Sequence, residues 1–334
     1  IAVVGAVGDV QEKKGFLRPN QEILSDAVEQ GIIRVKEGLR GYGLQTRPVH
    51  KVLEYSSDPY IPGISGNESK AIEFLHQLGI KPRNGNSWKK MCDLTDDEMK
   101  KLIAGVIVKR VGEDNPDDVI GYSYILENEE KGSPLRDAKE FATLLNACGR
   151  LDKASLGIGA CLGDNGLKRK AIQNQQEYRK EIVKSMNWFR DNKKNGLLTK
   201  GNGYVIINAR DEIKPSMIGT MASMLTKSKE FDEGTLVMGI ARDTEKETTK
   251  VSLRVAGRDN TVDLTEIMRR IVEISGGEAG GHMNAAGAVI KTEHEDKLLE
   301  AAKKVLERKD SCGGTWEQSS VINLPESSEQ YLNK

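Results

Sequence analysis

The chain has 334 residues, with 50 basic and 50 acidic side chains, and its net charge is zero. This balance excludes a large unspecific field for nucleic acid, so any nucleic-acid contact is expected to be a local patch. With 5% aromatic residues, a long stacking platform for single strands is not expected either. No cysteines form a C-x-x-C pair, and no apolar run approaches the roughly 20 residues that span a bilayer. The composition predicts a cytoplasmic protein without a membrane segment.

The first residues carry a candidate metal ligand. Ile1–Val4 is a continuous apolar run typical of a buried parallel strand, and Asp9 follows it after a short small-residue segment. A carboxylate at the carboxyl end of a strand is a suitable ligand for Mn²⁺ or Mg²⁺, although an ordinary turn aspartate explains Asp9 equally well. The polar stretch Gln11–Gly15 argues against a dinucleotide site. Residues 1–45 are predicted to finish a parallel sheet, with a helix near Gln21–Gln30 and a break at Gly38–Gly43.

The middle of the chain is predicted to be mostly helical. In residues 46–130, helices open at Asn67 and at Thr95. In residues 131–195, Ala138–Cys148 has helical spacing, and Asn165–Asn192 is a proline-free polar run that predicts a long connecting helix. The charges on that helix are most simply a solvated face.

Residues 196–310 are predicted to form a compact α/β sandwich, followed by a flexible tail at 311–334. The predicted strands are Tyr204–Ile207, Leu236–Ala241 and Val251–Val255, with a helix near Ile218–Leu225. Alternation along the last strand places Val251, Leu253 and Val255 on one face and Ser252 and Arg254 on the other.

The segment Gly280–Ala288 is the strongest functional signal. It follows an amphipathic helix that begins after Asp263, and we place its Gly-Gly-His in a turn before a short buried strand at Val289–Ile290. Successive glycine N–H groups in such a turn form an anion-binding nest, and His282 is a further donor. A tight turn with a buried histidine is the alternative. The predicted phosphate-binding residues are Arg254, Gly280, Gly281, His282 and Asn284.

Gly-Gly-His-x-x-Ala-Ala-Gly resembles the signature of the DHHA1 domain, the C-terminal half of the DHH phosphoesterase superfamily. Ser252-Leu253-Arg254 stands where that family carries a Ser-Leu-Arg strand. Three further segments resemble the archaeal RecJ-like branch, which includes the GINS-associated nuclease: Tyr55–Gly66, Phe141–Arg150 and Cys161–Asp164.

The resemblance implies an α/β protein of two lobes joined by a long helix. The first lobe would be the C-terminal part of a DHH parallel-sheet domain with a helical insertion, and the second a DHHA1 domain. It implies a metal-dependent exonuclease on single-stranded DNA or RNA, with Asp9 as a ligand for Mn²⁺ or Mg²⁺, and GINS as a possible partner. The family's Asp-x-Asp and Asp-His-His motifs are absent from these residues, so we expect them upstream and expect this chain alone to be inactive.

Two other functions stay open at this point. One is a non-catalytic replisome scaffold or nucleic-acid-binding module associated with GINS. The other is a phosphoesterase acting on short oligonucleotides or cyclic dinucleotides, which a preference for short substrates would reveal.

Overall fold

A computed structural model of the chain describes residues 1–228, 230–257 and 262–307. These residues divide into two compact units, Ile1–Arg179 and a second that begins at Lys180. The predicted tail at 311–334 lies outside the described residues. None of the described helices is long and apolar enough to cross a membrane.

The described helices and strands confirm the α/β class. The helices are α1 (Ala2–Gly8), α2 (Asn20–Glu29), α3 (Val49–Glu54), α4 (Glu68–Gln77), α5 (Asp96–Lys109), α6 (Ala138–Arg150), α7 (Ala154–Cys161), α8 (Asn165–Asn192), α9 (Pro215–Lys227), α10 (Leu264–Ser275) and α11 (Glu295–Leu306). The strands are β1 (Ile33–Leu39), β2 (Arg83–Asn84), β3 (Ser87–Trp88), β4 (Ile120–Leu126), β5 (Leu198–Gly201), β6 (Tyr204–Asn208), β7 (Leu236–Asp243), β8 (Thr248–Val255), β9 (Glu278–His282) and β10 (Ala285–Lys291).

The predicted strand at Ile1–Val4 is wrong, because these residues begin helix α1. A short apolar run fits a buried strand and a buried helix equally well, and tertiary packing decides between them. Here α1 packs on α6 and buries residues at helical spacing. They are Val3, Val4, Ala6 and Val7. Asp9 therefore lies at the C-cap of a helix and not at the end of a strand.

The sheet of the first unit also differs from the prediction. Ile33–Leu39 forms β1, which ends within the predicted break at Gly38–Gly43, and β1 pairs antiparallel with β4. Among the described residues of this unit, the strand pairs β1–β4 and β2–β3 are both antiparallel, so no parallel sheet is present there. Charged residues within β1 disguise its alternating pattern, since they fill both exposed and half-exposed positions.

The helix boundaries in the first unit follow the sequence signals closely. The side chain of Asn67 accepts a hydrogen bond from the N–H of Lys70 and begins α4. Thr95 and Glu98 form a capping box that begins α5. The proline-free run forms α8 over its whole predicted length, and the boundary between the two units falls within this helix.

The second unit contains a six-stranded sheet in the order β5-β6-β7-β8-β10-β9. The β6–β7 pair is parallel and the other pairs are antiparallel. One face packs against α10 and α11 around a core that includes Met238, Leu253 and Ala286. The alternate residues face the other way, where α9 packs against β7 and β8. On that face of β9 and β10 the residues are exposed or half-buried: Glu278, Gly280, His282 and Val289 are exposed, and Ala285 and Gly287 are half-buried. We call this part of the sheet the open face.

Candidate phosphate-binding site

The Gly-Gly-His lies in strand β9 and not in a turn. β9 pairs with β10 at the edge of the sheet, and the two-residue connection between them is Met283-Asn284. The N–H of Leu264 donates to the carbonyl of Met283 at 2.9 Å, which ties this connection to the start of α10. Successive N–H groups of a strand point in opposite directions, so the predicted nest of converging glycine N–H groups does not form. The segment is extended because it is hydrogen-bonded to β10. The glycines alone do not indicate that a partner strand is present.

The two glycines before His282 have different roles. Gly281 has a φ of +142°, and a Cβ there would lie 2.3 Å from the carbonyl oxygen of Ala285. The hairpin thus requires glycine at 281. A Cβ at Gly280 would meet nothing within 4 Å. Gly280 therefore borders open space on the exposed strand.

Register across three strands brings the predicted residues onto one face. Ser252 of β8 is opposite Gly287 of β10, which is opposite Gly280 of β9. Two residues along, His282 is opposite Ala285, and Arg254 lies two residues beyond Ser252, on the same face of β8. Two strand spacings separate the Arg254 and His282 backbones by about 10 Å. Both residues therefore belong to the open face, with small residues between them.

Hydrogen bonds to α9, β8 and β10 hold Arg254 in place. Its Nε donates to Ser223 Oγ of α9 at 3.0 Å, and its Nη1 donates to the carbonyls of Leu253 at 2.7 Å and Ala286 at 3.0 Å. A Cβ on Gly219 of α9 would lie 3.5 Å from Nη2, so this glycine allows the close approach of the helix. The half-buried guanidinium joins α9, β8 and β10 and is not a freely moving surface group.

Sequence reasoning missed the contribution of α9. Gly219 and Ser223 contact Arg254 or its strand neighbour Ser252, and Ser216 and Thr220 share their helical spacing. A stripe of small and hydroxyl residues at i, i+3, i+4 and i+7 was the available signal. This stripe marks the helix face that packs beside the arginine.

Asn284 and His282 are both exposed at the end of the hairpin. Asn284 lies in the two-residue connection and His282 at the last position of β9. His282 is therefore not the buried histidine of the alternative interpretation. The participation of both residues in ligand binding stays a prediction.

The metal prediction rests on Asp9 alone. Asp9 is exposed, and its Oδ2 accepts a hydrogen bond from Gln11 Nε2 at 3.2 Å. Among the residues that the structure describes, no group of three or more His, Cys, Asp or Glu side chains is placed to hold a metal ion. One carboxylate does not fill the six-oxygen shell that Mg²⁺ demands, so the described residues do not fit a complete metal site.

Family models match two regions of the chain. A DHH-CID domain matches residues 41–121, and a DHHA1 domain matches residues 202–308. The DHHA1 match contains Arg254 and the whole β9–β10 hairpin, while the DHH-CID match contains α3, α4 and α5.

Similar proteins extend the comparison. An uncharacterized protein of Methanocaldococcus jannaschii is 30% identical over 307 residues, covering 91% of this chain and 62% of that protein. The crystal structure of CDC45 from Entamoeba histolytica is similar with a TM-score of 0.51 and 11% identity, covering 82% of this chain and 58% of that one. RecJ from Thermus thermophilus in complex with Mn²⁺ gives a TM-score of 0.37 and 16% identity, over 50% of this chain and 24% of that one.

This chain thus spans less than two thirds of the length of each of these three proteins. The likeness to CDC45 concerns the fold alone. Together the DHH-CID and DHHA1 matches cover more than half of the chain, and the Gly-Gly-His hairpin and the Ser-Leu-Arg strand lie within the second of them. On this evidence the chain belongs to the DHH/DHHA1 superfamily.

Proposed function

We propose that the whole protein hydrolyses phosphodiester bonds in single-stranded DNA or RNA as an exonuclease, and that the open sheet face of its DHHA1 domain holds a substrate phosphate. The observation that supports this most directly is that Arg254, Ala285 and His282 lie on one face of three neighbouring strands. This arrangement places a fixed cation and an exposed imidazole on one uncovered face, separated by a residue too small to block a ligand.

The geometry suits a positioning role. Arg254 is oriented before any ligand arrives, so binding costs little side-chain entropy. Gly287 of β10 and Gly280 of β9 are paired and have no side chains. A phosphate can therefore approach the backbone of these two strands closely. His282 adds a donor from the strand end. Holding one phosphate of a strand would set the register of the scissile bond, which is a proximity effect.

Mn²⁺ or Mg²⁺ stays the proposed cofactor of the whole protein. Such an ion would supply an activated water and charge stabilisation when bound. The described residues contribute one candidate ligand, Asp9, and they account for phosphate positioning and not for bond cleavage.

A non-catalytic role is the second candidate. The specific observation in its favour is that the described residues hold no group of three metal-binding side chains. In that case the DHHA1 face would bind single strands without cutting them, as part of a replisome scaffold with GINS as a partner.

The test compares Gly280→Glu with Gly112→Glu. Both glycines are exposed, neither has a positive φ, and a Cβ at either position meets nothing within 4 Å. A negative charge at 280 repels a phosphate on the open face, so we expect the affinity for a fluorescent oligothymidylate to fall about tenfold or more. Gly112→Glu makes the same charge change in the first unit and should bind as the wild type.

Thermal melts of both variants check the fold. Equal affinities for Gly280→Glu and wild type would refute the phosphate site. A nuclease assay on the whole protein separates the two candidate functions: release of mononucleotides from a labelled single strand supports the exonuclease, and binding without cleavage supports the scaffold.

A further inference from the structure

The first unit contains an arginine in contact with two tyrosine rings. The guanidinium carbon of Arg47 lies 4.8 Å from the ring centre of Tyr42 and 5.3 Å from that of Tyr55. Both distances are within the range of a cation–π contact. Gly43 has a φ of +87°, and a Cβ there would lie 2.4 Å from Arg47 Cδ. The glycine therefore makes room for the stem of the arginine, and the two rings position its guanidinium.

Hydrogen bonds fix the loop that carries Arg47. The Arg47 N–H donates to the carbonyl of Gly43 at 2.8 Å. Buried Glu140 accepts from the N–H of Gln45 at 2.7 Å and from the hydroxyl of Thr46. Both carboxylate oxygens of Glu140 therefore bind the loop that presents the arginine, and neither pairs with the guanidinium.

Arg47 differs from the other cation that contacts the Tyr55 ring. Lys51 Nζ lies 5.5 Å from the centre of that ring. It pairs with Glu54 at 2.8 Å and with Glu68 at 2.9 Å. Within the part of the chain that the structure describes, Arg47 has no ion pair, and its guanidinium has no hydrogen-bond acceptor. The charge of Lys51 is thus balanced by carboxylates of the fold, whereas the charge of Arg47 is not.

Tyr55 gives this cluster an exposed aromatic surface. Tyr55 is the residue at which α3 ends, and it is 57% exposed, whereas Tyr42 and Arg47 are half-buried. Every nucleic-acid base has a π-face that can stack on an exposed ring, and proteins that bind single strands without sequence preference use this contact. A guanidinium beside the ring suits a phosphate of the same strand, because its N–H groups match two phosphate oxygens.

We propose that Arg47 and Tyr55 form a contact for single-stranded nucleic acid in the first unit. A base stacks on Tyr55, and Arg47 binds a phosphate of the backbone. The inference rests on the proposed function and deepens it, because it gives the single-stranded substrate a contact separate from the DHHA1 face. The two tyrosine rings and Gly43 orient Arg47 in advance, so little side-chain entropy is lost on binding. An acidic peptide would use the guanidinium but leave the exposed ring unused.

The first arm of the experiment tests the ring. The whole chain with Tyr55→Ala is titrated with a fluorescent oligothymidylate of about 20 nucleotides, beside Tyr122→Ala as the control. Tyr122 lies on β4 of the same unit and is 65% exposed. We expect Tyr55→Ala to weaken binding roughly fivefold or more, as for the loss of one stacked base, and Tyr122→Ala to bind as the wild type. Because Tyr55 carries no charge, the slope of log affinity against log salt should not change.

The second arm tests the cation. Arg47→Met keeps an unbranched stem beside Gly43 and removes the charge, and Arg169→Met makes the same charge change at an exposed position of α8. Arg47→Met should weaken binding roughly fivefold or more. It should also decrease the slope of log affinity against log salt by about 0.7, because one cation that neutralises a phosphate is lost. Arg169→Met should bind as the wild type.

An abasic strand of the same length separates the two contacts. On this strand Tyr55→Ala should bind as the wild type, while Arg47→Met should still bind more weakly. The proposal is overturned if Tyr55→Ala matches Tyr122→Ala on oligothymidylate, or if its loss is equally large on the abasic strand. It is also overturned if Arg47→Met weakens binding of an aspartate-rich peptide while neither substitution affects oligothymidylate, because the site then takes acidic peptides.

Thermal melts check the fold of each variant. If Tyr55→Ala lowers the melting temperature, Tyr55→Leu replaces it, because leucine keeps an apolar side chain beside Arg47 but offers no ring for a base. The same loss of affinity is then expected. These variants leave Arg254 and Gly280 unchanged, and Gly280→Glu leaves Arg47 and Tyr55 unchanged. A failure of this proposal is therefore distinguishable from a failure of the DHHA1 site.

Discussion

Gly280 and Gly281 are neighbours in β9, yet a side chain has room at the first and collides with the backbone at the second. The Cβ of an alanine at 281 would lie 2.3 Å from the carbonyl oxygen of Ala285 and 2.7 Å from the Cα of Ala286, whereas one at 280 would enter open space. Structure and function are thus separated within one dipeptide. Gly281 is required to form the hairpin, and Gly280 borders the proposed ligand.

Gly281→Ala is therefore expected to destabilise the chain. The positive φ and the backbone contact together should lower the free energy of unfolding by about 2 kcal/mol or more. Gly280→Ala is the matched control and should unfold at the same urea concentration as the wild type, with only a modest loss of oligonucleotide affinity. Equal urea midpoints for the two variants would contradict this division of roles.

Arg254→Ala should affect stability as well as binding. Hydrogen bonds from the guanidinium join α9, β8 and β10. Their loss should cost about 1.5–3 kcal/mol in urea unfolding. Ser223→Ala removes one acceptor and should cost about 1 kcal/mol. Arg270→Ala, on the exposed side of α10, should change stability by less than about 0.5 kcal/mol. An Arg254→Ala variant as stable as Arg270→Ala would show that these bonds contribute nothing.

The parts of the fold that the sequence predicted are those that local chemistry determines. Asn67 and Thr95 begin their helices because their side chains accept backbone N–H groups three residues on. The proline-free run Asn165–Asn192 forms one helix because nothing within it breaks the hydrogen-bond ladder. Arg254 and Ser252 share a face because strand side chains alternate.

The errors arose where distant partners decide the conformation. Ile1–Val4 carries no turn or cap that distinguishes a strand from a helix, and its packing against α6 decides. Gly280 and Gly281 have low strand propensity, but both pair with residues of β10 and so adopt a strand conformation. The acceptors of Arg254 on α9 and β10 lie 31 and 32 residues away in the sequence, so no local pattern reveals them.

The second unit should lose stability in acid through Glu295. Burial raises the pKa of this carboxyl, but hydrogen bonds from Arg242, Asn208 and Thr249 outweigh burial and hold the pKa below its ordinary value of 4.5. The ionised carboxylate therefore stabilises the folded chain above that value, and the contribution is lost as the pH falls through the lower, folded pKa.

Glu295→Gln tests this pH dependence. The variant should be less stable than the wild type by about 1.5–3 kcal/mol at pH 7, because Arg242 loses its charged partner. The difference should shrink as the pH is lowered below 4.5, the ordinary pKa of the carboxyl, as followed by urea unfolding. Glu300→Gln removes the same charge from the exposed side of α11 and serves as the control. A stability difference that stays constant from pH 7 to acid would contradict the assignment.

The metal prediction is tested through Asp9. Because the described residues contain no group of three metal-binding side chains, we expect this 334-residue chain to bind Mn²⁺ weakly and to leave labelled single strands uncut. Asp9→Ala should weaken the residual binding further, as measured by calorimetry. Asp26→Ala, at another exposed carboxylate, should not. Both substitutions should leave the melting temperature almost unchanged, since exposed sites contribute less than about 0.5 kcal/mol. Tight stoichiometric Mn²⁺ binding that survives Asp9→Ala would remove Asp9 from the metal site, and Mn²⁺-dependent hydrolysis by the chain alone would show that it holds a complete one.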